Sequence, residues 1–560
     1  MWSWIVPSSV LTWIALKVAL SEARPATWSF RWKQPQTALR SSLAFEDLGV
    51  DVLSLILADL HPGTRLMVCG LSRKLRTVLS PTLFRTVRWA PLRRGFPPEI
   101  LWPHIQVLIL AGDMNLLQTE QGTIQVTDLD YAAIAAAAKD AISRLPSLRS
   151  FELTDTLAGG LWPELFEALT LSPTLTGLHL KANWYSPRRR ATFGTHSTQS
   201  TLQTVVYPLS SFRPMVRRQP IMLDVEGTNL HFVLEGCRAT LENATIPGEL
   251  LLRAMDYSQP WKALQKLAVD GFWPHDLEDR EMVSYNTPPP QDMRSQLVRV
   301  LEALPNLRVA AFKIWASNGD RGDQAILVGP NHSPPRSPDL FLRHLELFQF
   351  SSLQDNDRIL EFLPRRLQTL SLPRFISTND NEIRQPILPA SALLQLLERV
   401  DFPDLEVLEV NYLVHELAEV DDQDTLLSLL PNKFPRLRHL AISRFWDHDE
   451  SDLDEHWDPV PVYRKLLSRL PNLRFFRFNA DVPERSGQIP FMDYSPPFVA
   501  HVERLRVLGE GIVRDCPWLS EISLYRQFRA DPRLHWECWK VVPPTGLGGD
   551  VCLLGTRKYM

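Results

Sequence analysis

The chain has 560 residues, of which 44% are hydrophobic and 22% charged, a balance that fits a folded chain and excludes a disordered polymer or a polytopic membrane protein. Lys and Arg number 60 against 64 Asp and Glu, a formal charge of −4, so no overall basic field points to nucleic acid. Five cysteines without a Cys-x-x-Cys pair argue against a disulfide scaffold or a zinc ribbon and favour a reducing compartment, cytoplasmic or nuclear.

Residues 1–43 open with an apolar stretch from Trp4 to Leu20. No Lys or Arg precedes it, Pro7 and Lys17 interrupt it, and it falls short of the ~20 residues that a membrane span needs. It is read as a disordered or weakly helical extension, with neither secretion nor a membrane partner expected. Two glycosylation triplets, at Asn243 and Asn331, are read as chance matches.

Residues 44–90 have a different texture and nothing like them recurs later. Leu48, Val52, Leu53, Ile56, Leu57 and Leu60 follow one another at helical steps, giving an amphipathic helix that stops at His61-Pro62-Gly63. A second helix runs from Thr64 to about Leu71 and carries Leu66. The stretch Ser72-Arg73-Lys74-Leu75-Arg76 leads into a third. Helical spacing alone leaves two readings open: the leucines dock in a partner's groove, or they pack this small unit together.

The order of these residues resembles the F-box family: Leu48, Asp51, Ile56 and Leu60, a turn at Pro62, Leu66 and Leu71, Ser72-Arg73 with Arg76, then Pro81 and Leu83-Phe84. The chain departs from the family pattern at Gly49, where proline is usual, and at Leu75, where an aromatic residue is usual. The resemblance implies docking on a Skp-type adaptor and, through it, on a cullin scaffold of a ubiquitin ligase. The adaptor-binding residues would be Leu48, Val52, Leu53, Ile56, Leu57, Leu60, Leu66 and Leu71.

From residue 91 to 540 one phrase recurs: Pro, any residue, Leu, two residues, an apolar residue, one residue, another apolar residue. Clear copies are PSLRSFEL from Pro146, PTLTGLHL from Pro173, PNLRVAAF from Pro305, PDLEVLEV from Pro403, PRLRHLAI from Pro435, PNLRFFRF from Pro471 and PWLSEISL from Pro517. PHIQVLIL at Ile105 adds another, looser copies are placed at Leu202, Leu264, Leu342 and Leu367, and a worn one at Leu241, Ala244 and Ile246. Helical stretches such as YAAIAAAAKDAISRL precede many copies, so each unit reads helix, turn, short strand. Proline, 45 residues against 24 glycines, fits that junction: it lacks an N–H and disfavours helix in the residue before it.

Units of this size cannot bury their apolar faces alone and must stack. The array resembles leucine-rich repeats, without their asparagine ladder, and the whole chain resembles fungal-type F-box proteins with divergent repeats. The expected fold is therefore α/β: a small three-helix module, then an irregular leucine-rich-repeat-like solenoid with a parallel sheet on its concave face, then a tail over 541–560. The resemblance implies a substrate-recognition subunit of a Skp-cullin-F-box ligase that presents an unidentified protein substrate on its repeats. The alternative is a repeat scaffold with no ligase.

No phosphate-binding loop, nucleophile elbow or His-Glu-x-x-His motif occurs, so neither an enzyme, nor a cofactor, nor a metal site is expected. His415-Glu416, the Arg-Gly-Asp triplet at 321–323, Arg188 to Arg190, Arg217-Arg218 and the acidic insertion from Asp447 to Asp458 are read as solvated loops. Trp184, Trp273, Trp315 and Trp446 fall just after repeat strands, as core caps or exposed anchors.

Overall fold

The computed structural model describes residues 48–91, 95–112, 129–154, 157, 160–181, 184, 193, 200–207, 220–272, 294–315, 326–330, 332–351, 353–373, 387–414, 419–446, 457–480, 495–526, 536–543 and 551–555. It divides into two compact units, Met1–Leu79 and Ser80–Met560.

In the first unit, α1 (Val50–Ala58) and α2 (Pro62–Cys69) precede α3 (Arg73–Leu83), whose last residues belong to the second unit. Local chemistry sets their ends. Pro62 opens α2, where its missing N–H costs nothing, and His61 Nδ1 accepts a hydrogen bond from the Gly63 N–H at 3.2 Å. Ser72 Oγ accepts from the Leu75 N–H at 3.2 Å and so caps α3. Arg65 donates to the Ala58 carbonyl, and Lys74 Nζ donates to the Leu48 carbonyl at 3.0 Å, tying the helices to one another.

Among the described residues the second unit is built on one sheet of sixteen strands in sequence order. They are β1 (Thr86–Trp89), β2 (Val107–Leu110), β3 (Ser150–Leu153), β4 (Gly177–Leu180), β5 (Thr204–Val206), β6 (Asn243–Pro247), β7 (Lys266–Phe272), β8 (Val309–Trp315), β9 (Leu347–Phe350), β10 (Thr369–Leu372), β11 (Val407–Val414), β12 (His439–Trp446), β13 (Phe475–Phe478), β14 (Glu521–Tyr525), β15 (Trp536–Val542) and β16 (Cys552–Gly555). Strands β1 to β14 pair in parallel, and β15 and β16 add two antiparallel partners at the end. A doubly wound sheet would reverse its strand order at a switch point, and this one never does.

Each phrase found in the sequence sets one strand. Phe151 and Leu153 of β3 are fully buried while Ser150 and Glu152, which alternate with them, are half-buried, and the same alternation recurs at Leu408 and Val410 or Leu440 and Ile442. The residue before the proline is buried too, as in Leu145, Leu304, Phe434 and Leu470. The worn unit at Leu241, Ala244 and Ile246 is a full strand, β6.

A hydrogen-bond ladder stitches successive units just ahead of the strands. The carbonyl of Gln106 accepts from the N–H groups of both Arg149 and Ser150, that of Arg149 from Thr176 and Gly177, and that of Thr176 from Gln203 and Thr204. The pattern continues through Glu406 and Arg438 to Arg474, which accepts from Ser520 and Glu521. Along the parallel strands each unit thus gives two amides to the unit before it and one carbonyl to the unit after it, satisfying backbone groups that a free turn would leave to water.

Helices α4 (Tyr131–Ile142), α5 (Pro163–Thr170), α6 (Pro220–Gly236), α7 (Leu251–Ala254), α8 (Gln296–Glu302), α9 (Ala390–Arg399), α10 (Glu419–Lys433), α11 (Pro459–Leu467) and α12 (Pro496–Val513) fall between strands. Their apolar stripes join the buried strand residues in one continuous core that runs from Trp89 to Leu553. At α4, Asp130 caps the first turn by accepting from the Ala133 N–H at 2.9 Å. At α8, Ser295 does the same for Val298.

Three sequence expectations are corrected. Residues 86–89, read as the end of the helical module, are the first strand of the sheet and pair with β2. The unit placed at Leu342 has its true frame at Leu345, Phe348 and Phe350, all fully buried, whereas Leu342 sits in the turn with φ 49°. The stretch read as a tail holds β16, whose Leu553 and Leu554 pair with Val541 and Lys540.

Candidate partner-binding surface

The eight leucine-type residues singled out in the first unit do not share one environment. Leu53 and Leu57, one turn apart on α1, are 0% and 3% exposed and belong with the other buried apolar residues of this unit, Val68, Cys69, Leu75 and Leu79. Burial inside the chain takes these two off the accessible surface. Leu48 and Leu60 are half-buried. Val52, Ile56, Leu66 and Leu71 are exposed, the last two by 61% and 65%.

Three residues that sequence reasoning passed over join the exposed group: Val50, Leu55 and Met67, with Leu55 at 73%. Val52, Leu55 and Ile56 stand at i, i+3 and i+4 on α1 and share a helix face. Seven large apolar side chains left in water within about twenty residues is far from the scattered exposure that needs no explanation. Periodicity could not separate this stripe from the buried one, because both repeat at helical steps.

Gly49 and Leu75 each have a plain local setting. Gly49, just before α1, has φ −57° and ψ 152°, a backbone that proline also adopts, and no atom lies within 4 Å of where a Cβ would stand. Leu75 is 3% exposed and supplies apolar volume at the position where an aromatic residue is usual.

The second unit offers a different surface. Between the buried positions of each strand, a row of side chains runs along the sheet, pairing Glu152 with His179 on β3 and β4, Ala268 with Ala311 on β7 and β8, and Ala441 with Arg477 on β12 and β13. Polar contacts bind neighbours along it. Lys181 Nζ lies 2.6 Å from Glu152 Oε1. Gln349 Nε2 donates to Ser371 Oγ at 3.1 Å, and that hydroxyl donates to Glu409 Oε2 at 2.5 Å.

Towards its end the row turns aromatic: His439 stacks on Phe475 with ring centres 4.7 Å apart, and the Arg477 guanidinium lies 5.0 Å from the Trp536 ring. Burial holds the His439 imidazole below its usual pKa, with the Arg477 charge acting in the same direction and Glu521 and Glu409 opposing. His179 is likewise lowered, by burial first, against the pull of Glu152.

Trp184 is a core cap, buried, with its indole N–H donating to the Leu161 carbonyl at 2.6 Å and its ring stacked on Tyr207. Asn243 begins β6 and its Nδ2 donates to Thr204 Oγ1 at 3.3 Å, a strand position rather than a loop. Trp273, Asn331, the Arg-Gly-Asp triplet, His415-Glu416, both arginine runs, the apolar stretch 4–20 and residues 447–456 of the acidic insertion lie outside the described residues. Among the described residues no helix is long and apolar enough to cross a membrane, and no three His, Cys, Asp or Glu side chains gather as a metal site requires.

Neither a protein-family model nor a curated protein matches the sequence. Among solved structures the chain is similar to the leucine-rich-repeat-containing protein LegL7 from Legionella pneumophila, at 10% sequence identity over 70% of this chain and 87% of that one, with a TM-score of 0.28. That likeness adds nothing to what the strand order already shows.

Proposed function

We propose that the chain is a non-enzymatic, substrate-recognition subunit of a Skp-cullin-F-box ubiquitin ligase. The first unit docks on a Skp-type adaptor, and the sheet of the second presents a protein substrate. One observation carries this reading: the three short helices keep Leu53, Leu57, Leu75 and Leu79 buried while leaving Val52, Leu55, Ile56, Leu66, Met67 and Leu71 in water. A helix that enters a partner's groove offers such i, i+3, i+4 anchors. The order of motif residues from Leu48 to Phe84 supports the same partner.

The test is co-purification of the full chain with a recombinant Skp-type adaptor. Ile56→Asp with Leu66→Asp places two carboxylates where the groove is apolar, and an unpaired buried charge costs several kcal/mol, so binding is lost. Both positions are exposed, so the helical content and the protease resistance of the variant stay those of the unmutated chain. If the unmutated protein fails to bind an adaptor that captures another F-box protein, the ligase reading falls. The second reading, a repeat scaffold that binds a partner without any ligase, then stands on the sheet alone.

A further inference from the structure

On the side of the second unit where the chain turns from helix to strand, ahead of β7, β8 and β9, lies a cavity of about 500 Å³. That size matches a site for a short segment of chain or a small molecule. Its lining brings together three arginines, Arg294, Arg299 and Arg336, with one glutamate, Glu302. Glu302 is committed to the structure: its side chain bonds the Arg294 guanidinium and accepts the Arg336 backbone N–H at 2.7 Å.

Arg299 lies 5.1 Å from the Tyr257 ring, which holds the guanidinium plane on an aromatic platform. A guanidinium carries five N–H donors in a fixed fork, more than any single carboxylate occupies, so arginines already engaged in the fold still offer donors to a second anion. Beside these charges Leu340 is 59% exposed, an apolar contact with no cover of its own.

We propose that this cavity is a recognition site for an acidic peptide segment, its carboxylates meeting Arg299 and Arg336 and an adjacent apolar side chain resting on Leu340. Charge complementarity favours that occupant over a basic or purely apolar one. The site lies wholly in the repeat unit, so it stands whether or not the helical unit docks an adaptor.

The experiment is fluorescence anisotropy with the full chain, no adaptor, and a fluorescein-labelled peptide of alternating glutamate and leucine, set against the same peptide with lysine for glutamate. The acidic peptide binds saturably, and its affinity falls as salt is raised from about 0.05 to about 0.5 M. Arg336→Glu weakens it by about tenfold or more, and Leu340→Glu does likewise through loss of the apolar contact and added repulsion. Both residues are exposed, and circular dichroism of each variant checks that the fold is intact. Equal binding of the lysine peptide, unchanged affinity in both variants, or no saturable binding below about 1 mM overturns the proposal.

Discussion

Asp357 is the sharpest place to test the architecture. Its side chain is fully buried, and its two oxygens accept three backbone N–H groups: Leu327 at 2.7 Å, Val328 at 3.1 Å and Ile359 at 2.9 Å. Residues 327 and 328 lie outside any helix or strand, so this one carboxylate ties an irregular segment to the turn before β10. Asp357→Ala leaves three buried donors without an acceptor. Hydrogen bonds to a charged group contribute roughly 1.5–3 kcal/mol each, about 5–9 together, and relief from burying an ionised carboxylate offsets several of these. The net loss is about 2–4 kcal/mol, which converts to amide exchange faster by about thirtyfold to a thousandfold at Leu327 and Val328. Hydrogen-exchange mass spectrometry reads this directly, with strand β11 as the internal reference. If the two amides exchange at the rate of an open loop in the unmutated protein, or at unchanged rates in the variant, the reasoning is wrong. Acid titration gives a second signature. Burial raises the Asp357 pKa, against the pull of the three amides and of His332, so the native state binds this proton more tightly than the unfolded chain. The proton-linked part of its contribution to stability is therefore full below the ordinary Asp value and declines as pH rises through the folded value. Asp357→Asn removes that portion of the pH dependence.

Gly49→Pro is expected to be accepted and to stabilise the first unit by about 0.4–1 kcal/mol, because φ −57° suits proline and no atom lies within 4 Å of the Cβ position; a fall in the unit's melting temperature refutes it. Thiol labelling at neutral pH should reach exposed Cys552 first, while Cys237, pushed up to about 12 by burial, and Cys516, pushed up to about 11, react only after denaturation. Rapid labelling of Cys237 in the folded chain contradicts its placement in the core. The Arg526–Glu537 pair, 3.2 Å apart with both side chains at most 1% exposed, should lose about 3–5 kcal/mol on Glu537→Gln. The double change Arg526→Met with Glu537→Leu should recover most of it, as read from urea unfolding midpoints.

The strand array was legible because each unit repeats a rule that the backbone enforces. An apolar residue ahead of the strand and two inside it must face the core, and a one-residue slip turns every one of them outward. That is why even the worn copy at Leu241 marked a strand. Reading failed at the ends of the array: β1 keeps the apolar spacing at Phe84, Val87 and Trp89 but follows directly on a helix that ends at Leu83, and β15 and β16 enter the sheet antiparallel, which no repeat predicts. The misplaced frame at Leu342 has a single cause. The turn there takes a left-handed backbone at a leucine, and the phrase begins three residues later.

The candidate surface was half legible for a deeper reason. On α1 the residues at 52, 53, 56 and 57 all obey the helical period, and period alone says only that two adjacent stripes are apolar. Which stripe the chain keeps for itself depends on where the neighbouring helices lie, and that is tertiary information. The hydrogen bonds from Arg65 to the Ala58 carbonyl and from Lys74 to the Leu48 carbonyl supply it: each ties one end of α1 to a following helix. With Leu53 and Leu57 buried in that arrangement, the apolar residues at 52, 55 and 56 are left exposed among the described residues. Under the proposed function this second apolar stripe is the one that meets the adaptor. The buried stripe makes the same claim testable from the other side: Leu53→Ala should melt the unit, at a cost of about 2–5 kcal/mol, whereas Ile56→Asp should leave it folded and unable to dock.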